Sequence, residues 1–485
     1  MKSIPSSFYN DSLATLTDQY QLTMAYGYWK NQMHEKRASF NLFFRTAPFG
    51  GNFALAAGLE YVVNYLKDYH FDASDRDYLR SMADSNGEPL FDKGFISYLR
   101  TLEFDCTVEA VPEGTVVFPH EPIINITGPL IQCQLFETAL LNMINFQTLI
   151  ATNAAYIAAA AKGDKVMEFG LRRAQGIDGA LTASRAAFIG GCSSTSNVLA
   201  GKLFGIPVVG THAHSWIMSF PSELEAFRAY AYAMPDNCVF LVDTYDVKQG
   251  IENAIIVGKE LRQRGYEMKG IRLDSGDLAE LSIMARKMLD EADFRRAFIV
   301  ASNDLDSGAV VGLKAKGAKI DVWGIGTKLV TSYDQPALGG VYKLGAIRNG
   351  DTWESKIKVS ATKGKSTLPG GLTALRFTDP NTGRFVCDEI DDIFRTSFIP
   401  GKPHMISFDG HVIKIPSGCK VEPLLRTIFN CGKLIYPEIS LVEIQRRARE
   451  QLVALDDFSK GYTVGLSRHV YENRERLLKE IHDRS

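Results

Sequence analysis

From about residue 165 the chain alternates short apolar runs rich in β-forming residues with longer runs of helical periodicity. The steps between successive apolar runs are mostly about 20 to 40 residues, which is the size of a βα unit. The alternation therefore predicts a parallel sheet covered by helices, and it constrains the fold more than any other feature. The predicted strands lie within 165–171, 206–214, 238–246, 269–277, 298–306 and 321–327.

Polar or small residues stand at the end of each of these runs. In an open wound sheet such residues concentrate at one switch point, whereas in a barrel the ends of many successive strands converge on one rim. Because every run ends in this way, the pattern favours a barrel over an open sheet. The polar ends lie at 172–173, 211–214, 243–246, 274–277, 302–304 and 324–327.

The remainder of the chain has mixed strand and helix patterns. We predict an N-terminal mixed α+β domain over residues 1–135, an α/β barrel with the active site over 136–350, and C-terminal segments over 351–485 that pack on the N-terminal domain. Within the first domain, 53–66 has the pattern of an amphipathic helix. Residues 138–161 carry no charge but many amides and hydroxyls, which favours a buried helix over a membrane span.

Composition excludes several classes of protein. The 485 residues are 45% hydrophobic and 23% charged with a net charge of −2, which indicates a globular chain and argues against binding nucleic acid or an acidic membrane through bulk charge. The seven cysteines include no CxxC pair, and the first residues have no apolar signal core. We therefore expect reduced thiols and a cytoplasmic location.

Three familiar signatures are incomplete. Gly364-Lys365-Ser366 resembles the end of a P-loop, but the earlier glycine that the loop needs is replaced by Val359. Gly324-x-Gly326 lacks the third glycine of a dinucleotide fingerprint. His212-x-His214 resembles the metal pair of hydrolase barrels, yet no further histidine follows before His404, so a dedicated zinc site is disfavoured.

A set of cations, carboxylates and glycines remains on the expected rim. Arginines at 172–173 can pair with carboxylate or phosphate. The stretch 272–277 places a cation, a hydroxyl and two carboxylates within six residues, which suits ribose hydroxyls and a phosphate-bound Mg²⁺. The glycines at 324 and 326 allow backbone N–H groups to approach a phosphate closely. Together these groups indicate a phosphorylated sugar as the ligand.

The motifs as a set resemble the nicotinate phosphoribosyltransferase family of type II phosphoribosyltransferases. They occur in the family's order over about three quarters of the chain, and the last hundred residues contribute little. The motifs are LTDQYQLTMAYGYW, FNLFFRTAPFGGNFALAAGL, EFGLRRAQG, SSTSNVLAGKLFGIPVVGTHAHS, IRLDSGDL, ASNDLD, GIGTKLVTSYDQPALGGVYKL and KVSATKGKSTLPG.

The resemblance implies a fold, a reaction and an assembly. The fold is an irregular α/β barrel with an N-terminal mixed α+β domain and C-terminal additions. The reaction joins nicotinate to 5-phosphoribosyl-1-diphosphate, is coupled to ATP hydrolysis through a phosphohistidine, and is the first step of NAD salvage from nicotinate. Mg²⁺ and ATP as co-substrate are expected, without a tightly bound organic cofactor. The assembly is a head-to-tail homodimer that shares its active sites, with no nucleic-acid or membrane partner.

The resemblance also implies roles for individual residues. His214 matches the phosphorylated histidine, and Arg272 and Asp274 match catalytic groups around the diphosphate and the ribose hydroxyls. Residues expected to bind nicotinate are Tyr20 (from the partner subunit), Phe169, Arg172, Asn197 and Ser215. Residues expected at phosphates are Arg45, Ser275, Gly324, Gly326, Thr327, Lys358 and Lys365. Asp274 and Asp277 are expected at Mg²⁺.

Alternative functions remain open. Nicotinamide phosphoribosyltransferases share this fold and donor, but place an aspartate near the ring where this chain has Asn197, and a neutral residue there favours the acid as substrate. Quinolinate phosphoribosyltransferases are smaller and lack the long N-terminal motifs. A catalytically silent homologue that acts as a binding protein and a metal-dependent hydrolase barrel are the alternatives from other classes.

Overall fold

The computed structural model describes residues 12–360, 366–395, 404–455, 458 and 461–484. They form two compact units: one comprises the described residues of Met1–Leu149 and Ala337–Ser485, and the other is Ile150–Pro336. The division falls within one long helix, Glu137–Ala161. The domain boundaries at 135 and 350 stay a prediction.

The discontinuous unit is built on two mainly antiparallel sheets. The strands of this unit are β1 (Arg37–Phe44), β2 (Ala54–Leu55), β3 (Thr107–Ala110), β4 (Val116–Val117), β5 (Ile124–Pro129), β12 (Gly340–Asn349), β13 (Thr352–Ser355), β14 (Leu372–Thr378), β15 (Phe385–Asp392), β16 (His404–Ile406), β17 (Val412–Lys414), β18 (Lys420–Pro423), β19 (Arg426–Asn430), β20 (Lys433–Leu434) and β21 (Val464–Leu466). The seven-stranded sheet has the order β13-β12-β1-β5-β3-β19-β20, and the six-stranded sheet has the order β17-β16-β21-β15-β14-β18. Strands from the C-terminal part therefore pair with strands from the N-terminal part, as β19 does with β3.

Helices cover these sheets. They are α1 (Gln19–Lys30), α2 (Leu59–Lys67), α3 (Ala73–Ser81), α4 (Lys93–Arg100), α5 (Leu130–Leu135), the first part of α6 (Glu137–Ala161), α15 (Leu441–Leu455) and α16 (Arg468–His482). The helix predicted over 53–66 is wrong in its first part, because β2 occupies Ala54–Leu55 and α2 begins only after Gly58. Gly58 has φ +100°, and a Cβ there would stand 2.5 Å from the Met143 carbonyl oxygen. The backbone therefore turns at Gly58, although the helical periodicity of the sequence continues through this position.

The continuous unit is the predicted α/β barrel. Its strands are β6 (Lys165–Glu168), β7 (Ser194–Thr195), β8 (Val239–Leu241), β9 (Gly270–Leu273), β10 (Phe298–Ser302) and β11 (Val322–Ile325). They pair in parallel in the order β7-β6-β11-β10-β9-β8. The helices around them are the second part of α6, α7 (Gly176–Ile189), α8 (Val198–Phe204), α9 (His214–Met218), α10 (Glu223–Ala233), α11 (Val247–Gln263), α12 (Leu278–Glu291), α13 (Ser307–Ala315) and α14 (Thr327–Val330).

The barrel is irregular at the seam between β7 and β8. The strand predicted over 206–214 is wrong, because this segment makes only a single parallel bridge, from Val208 to Thr195. Farther along the segment, the backbone N–H of Leu241 donates to His212 Nε2 at 3.3 Å. Burial lowers the pKa of His212 to about 4, so the ring is neutral near pH 7 and Nε2 can accept this hydrogen bond. His212 thus contributes to the seam instead of to a metal pair.

Within the described ranges, no helix of the chain is both long and apolar enough to span a bilayer.

Candidate active site

A cavity of about 220 Å³ opens where the barrel strands end. Its lining combines arginines, carboxylates and glycines that come from the C-terminal ends of four neighbouring strands, as the sequence pattern predicted. The lining residues are Phe169, Arg172 and Arg173 after β6, Arg272 and Asp274 at β9, Ser302, Asn303 and Asp304 at β10, and Gly324, Gly326 and Thr327 at β11.

Arg272 and Asp274 form the most tightly connected part of this cavity. Arg272 Nη2 donates to Asp274 Oδ1 at 3.0 Å, and Nε donates to Ser302 Oγ at 2.9 Å. Ser302 Oγ in turn donates to Asp274 Oδ1. The third nitrogen, Nη1, donates to Thr211 Oγ1 at 3.1 Å. Protein groups alone therefore hold Arg272 in one orientation, which is the preorganisation that electrostatic catalysis requires.

His214 lies beside this pair. Its Nε2 is 4.0 Å from Asp274 Oδ2, and its Nδ1 is 3.1 Å from Thr244 Oγ1. The side chain is 42% exposed, so the ring is accessible to a phosphate donor. A neutral imidazole nitrogen is a competent nucleophile for phosphate.

The loop that follows Asp274 is anchored by a carboxylate to which the sequence analysis gives no individual role. Asp243 Oδ2 accepts from the Asp274 backbone N–H at 2.8 Å and from Ser275 Oγ at 2.6 Å. Asp243 is the first residue of the polar strand end at 243–246, and this position is the sequence signal for its place at the rim.

Ser302, Asn303 and Asp304 also line the cavity, although the sequence analysis places them only among the polar strand ends and gives them no individual role. Asn303 has φ +119° and Asp304 has φ +43°, and both are exposed. Non-glycine residues rarely adopt this region, which costs of order 1–3 kcal/mol and is concentrated at functional sites. The motif ASNDLD at a strand end was the available sequence signal.

Close packing leaves little room for a side chain at Gly324 of β11. A Cβ on Gly324 would lie 2.9 Å from the Phe169 ring and 3.3 Å from Ser302 Cβ. The Phe169 ring therefore rests directly on the β11 backbone, and the Arg272 guanidinium carbon is 5.9 Å from the ring centroid. One part of the cavity wall is therefore formed by the backbone at the end of β11, and another part is formed by the Phe169 ring.

Five of the sequence-predicted residues in the barrel unit are not among those that line the cavity: His214, described above, and Asn197, Asp277, Ser215 and Ser275. Asn197 is 2% exposed, and its side chain caps α8 by accepting from the Ala200 N–H at 3.2 Å. Asp277 caps α12 through the N–H groups of residues 279 and 280, and these hydrogen bonds lower its pKa. Ser215 is exposed on α9. Ser275 is likewise exposed, bonded to Asp243 as described above.

Other predicted residues belong to the discontinuous unit. Tyr20 is an exposed residue of α1, and burial of part of its ring raises its pKa. Arg45 lies with its guanidinium carbon 5.7 Å from the Phe43 ring centroid, and Lys358 is exposed. Lys365 falls outside the described residues.

The fit of the cavity to Mg²⁺ rests on two carboxylates. Asp274 and Asp304 line it, whereas Asp277 does not. Among the residues described, no group of three or more His, Cys, Asp or Glu side chains is placed to hold a metal. Mg²⁺ is commonly held by one or two carboxylates together with substrate phosphates and water. The site therefore fits a Mg²⁺ that arrives with a diphosphate.

Comparison with known proteins gives consistent matches. A family model described as the nicotinate phosphoribosyltransferase (NAPRTase) N-terminal domain matches residues 15–145, and one described as the nicotinate phosphoribosyltransferase (NAPRTase) family matches residues 165–389. The chain is 43% identical to the nicotinate phosphoribosyltransferase of Bacillus subtilis over 98% of this chain and 97% of that protein. It is 36% identical to the human nicotinate phosphoribosyltransferase over 91% of both chains.

Solved structures agree with the sequence matches. The crystal structure of human nicotinic acid phosphoribosyltransferase matches with a TM-score of 0.83 at 34% identity, covering 95% of this chain and 99% of that chain. A nicotinate-nucleotide pyrophosphorylase from Pyrococcus furiosus matches with a TM-score of 0.69 at 21% identity, covering 92% and 96%, which supports the fold alone. The resemblance and fold class inferred from the motifs are thereby confirmed.

Proposed function

The chain belongs to the nicotinate phosphoribosyltransferase family, and we propose that it joins nicotinate to 5-phosphoribosyl-1-diphosphate to give nicotinate mononucleotide and diphosphate. The main structural support is that three arginines, Arg172, Arg173 and Arg272, line the same cavity at the barrel rim as Asp274. Cations there suit a substrate with a 5-phosphate and a diphosphate, and a fixed carboxylate suits ribose hydroxyls.

Each part of the reaction has a matching group in the cavity. The pyridine nitrogen attacks the anomeric carbon of the ribose, and the bond to the diphosphate oxygen breaks. The transition state has oxocarbenium character, so Asp274 stabilises the positive sugar while Arg272 and its neighbours stabilise the departing diphosphate. The attacking nitrogen carries no proton at neutral pH, so the reaction needs positioning and no general base.

Substrate orientation follows from the remaining lining. The Phe169 ring offers a flat apolar face on which the pyridine ring can stack in an offset arrangement. Arg172 and Arg173 follow Phe169 in the same turn and are exposed cations of the cavity lining. They can pair with the ring carboxylate or with a phosphate. Asp274 and Asp304 would hold a Mg²⁺ that arrives with the diphosphate, and that ion would neutralise charge on the leaving group. The backbone of Gly324 and Gly326 with Thr327 would receive the 5-phosphate.

ATP coupling is assigned to His214. Its imidazole would take the γ-phosphoryl group from ATP, releasing ADP, and water would later cleave the phosphohistidine to free phosphate. A phosphorylated His214 beside Asp274 changes the charge at the cavity, and so changes the affinity for substrates and products. We place the activity in the cytoplasm, in a homodimer in which Tyr20, Arg45 and Lys358 act in the partner's site.

Product analysis tests the proposal. Purified protein with 5-phosphoribosyl-1-diphosphate and Mg²⁺ should form nicotinate mononucleotide from nicotinate, faster or further when ATP is present, as measured by chromatography of the products. Nicotinamide supplied in parallel should give less than about one hundredth of that rate, because its neutral amide offers the arginines of the cavity no negative charge to pair with. Preferred turnover of nicotinamide would contradict the assignment.

A second test isolates the role of His214. The variant His214→Ala should retain basal synthesis within about tenfold but lose the stimulation by ATP, because no phosphoryl acceptor remains. The measurement is the ratio of initial rates with and without ATP, which should fall to about one. His411→Ala, which changes an exposed histidine of the other unit, should keep the native ratio. ATP stimulation that survived in His214→Ala would show that another group accepts the phosphate.

A further inference from the structure

Glu168, the last residue of β6, is a fully buried carboxylate immediately before the turn that carries Phe169, Arg172 and Arg173. It does not line the cavity, and nothing in the motif analysis gave it a role. A buried carboxylate is costly unless hydrogen bonds satisfy it, so its position requires an explanation.

Three donors from three separate elements converge on this carboxylate. Glu168 Oε1 accepts from the backbone N–H of Gly170 in the turn. Glu168 Oε2 accepts from Ser184 Oγ of α7 at 2.8 Å and from Thr195 Oγ1 of β7 at 2.5 Å. The carboxylate therefore ties the turn to the neighbouring strand and to the helix behind it.

The turn that Glu168 holds has little room to adopt another path. The Phe169 N–H donates to the Ile325 carbonyl at 2.7 Å, and a Cβ on Gly170 would lie 2.3 Å from Val330 Cγ1. Packing fixes the turn from the β11 side, and the carboxylate fixes it from the β7 side. The Phe169 ring and the two arginines that follow are thereby presented to the cavity from an anchored backbone.

We propose that Glu168 is a positioning residue that holds the Phe169–Arg173 turn in the geometry that binds nicotinate. The inference rests on the proposed function for the identity of the ligand. Glu168 acts through the turn and touches neither substrate nor the reacting atoms.

The hydrogen bonds explain why a carboxylate is needed here instead of an amide. Thr195 Oγ1 already accepts from the Asn197 N–H at 2.9 Å, so its own proton needs an acceptor, and Glu168 is the one found for it in the described part of the chain. Ser184 Oγ can donate to the Ala180 carbonyl at 3.0 Å instead. In Glu168→Gln the new NH₂ group would oppose either the Gly170 N–H or the Thr195 hydroxyl, because an amide has only one acceptor oxygen.

The experiment combines kinetics with amide hydrogen exchange. Glu168→Gln should raise the KM for nicotinate by about tenfold while kcat changes less than about threefold, the pattern of lost ground-state binding. Exchange of the backbone amides in 169–175 should increase, while the amides of β9 and β10 keep native protection. Thr195→Val should reproduce both changes more weakly, since it removes one of the three donors.

Asp164→Asn is the matched control. Asp164 precedes β6 at its opposite end, accepts from Trp323 Nε1 at 3.0 Å and pairs with Lys314 Nζ at 2.6 Å. This variant should lower the melting temperature yet keep the native KM for nicotinate. A native KM and native exchange of 169–175 in Glu168→Gln would overturn the proposal, as would equal changes in both variants. Absence of nicotinate turnover in the unaltered protein would instead refute the proposed function, while hydrogen exchange would still test the anchoring.

Discussion

Asp274→Asn should lower kcat/KM by about 10³, equivalent to roughly 4 kcal/mol of transition-state stabilisation. The carboxylate accepts from Arg272 and Ser302 through one oxygen and faces His214 with the other. An amide removes the negative charge that stabilises the cationic sugar, and an NH₂ group in the place of Oδ1 would oppose both of these donors. Steady-state initial rates with nicotinate and 5-phosphoribosyl-1-diphosphate measure the effect.

Asp246→Asn is the control for this prediction. Asp246 also follows a barrel strand, but its carboxylate caps α11 by accepting from the Gln249 N–H at 2.8 Å. Because asparagine caps helices about as well as aspartate, kcat/KM should change less than about twofold. A loss below about tenfold in Asp274→Asn would show that the sugar cation is stabilised elsewhere.

Arg376→Met should destabilise the discontinuous unit by about 3–5 kcal/mol, because it leaves a buried charge without its partner. The Arg376 side chain is 4% exposed and pairs with Asp388, which is fully buried, at 2.6 Å between Nη2 and Oδ2. Tyr462 OH also donates to Asp388, at 2.8 Å. Burial and the charge of Asp388 raise the pKa of the nearby Glu121 well above its usual range.

Chemical denaturation followed by circular dichroism would measure this loss as a lower transition midpoint. Arg348→Met is the control, since Arg348 pairs with fully exposed Asp351 at 3.3 Å and an exposed pair contributes at most about 1 kcal/mol. The double variant Arg376→Met with Asp388→Leu should recover part of the stability, because both buried charges are then absent. A native midpoint in Arg376→Met alone would contradict the prediction.

The barrel unit was predictable because its information is local. A strand that is buried on both faces has a continuous run of apolar residues in its sequence. Five of the six predicted runs contain a strand of the sheet. The wrong strand prediction at 206–214 has a physical cause. At the seam this segment makes one backbone bridge, and the ring of His212 accepts the next hydrogen bond. The apolar character of a segment does not determine whether its backbone or a side chain makes its hydrogen bonds. The short strand β7 gave no apolar run and was missed.

The site was predictable in its position but not in its internal contacts. Strand-end polarity placed Arg272 and Asp274 on the rim, and the structure brings them within hydrogen-bond distance. The capping roles of Asn197 and Asp277 could not be separated from ligand binding, because Asn and Asp serve equally at both.

The sequence by itself determined the βα alternation, the rim where polar groups converge and the family, because periodicity, strand-end chemistry and motif order are properties of the chain alone. Only the tertiary structure decided which carboxylates line the cavity and which ones outside the lining fix its loops through hydrogen bonds. Asp243 and Glu168 fill their supporting roles through donors at least two and up to 32 positions away along the chain. Hydrogen-bond partners of buried groups are chosen by three-dimensional proximity, and that proximity exists only once the barrel has closed.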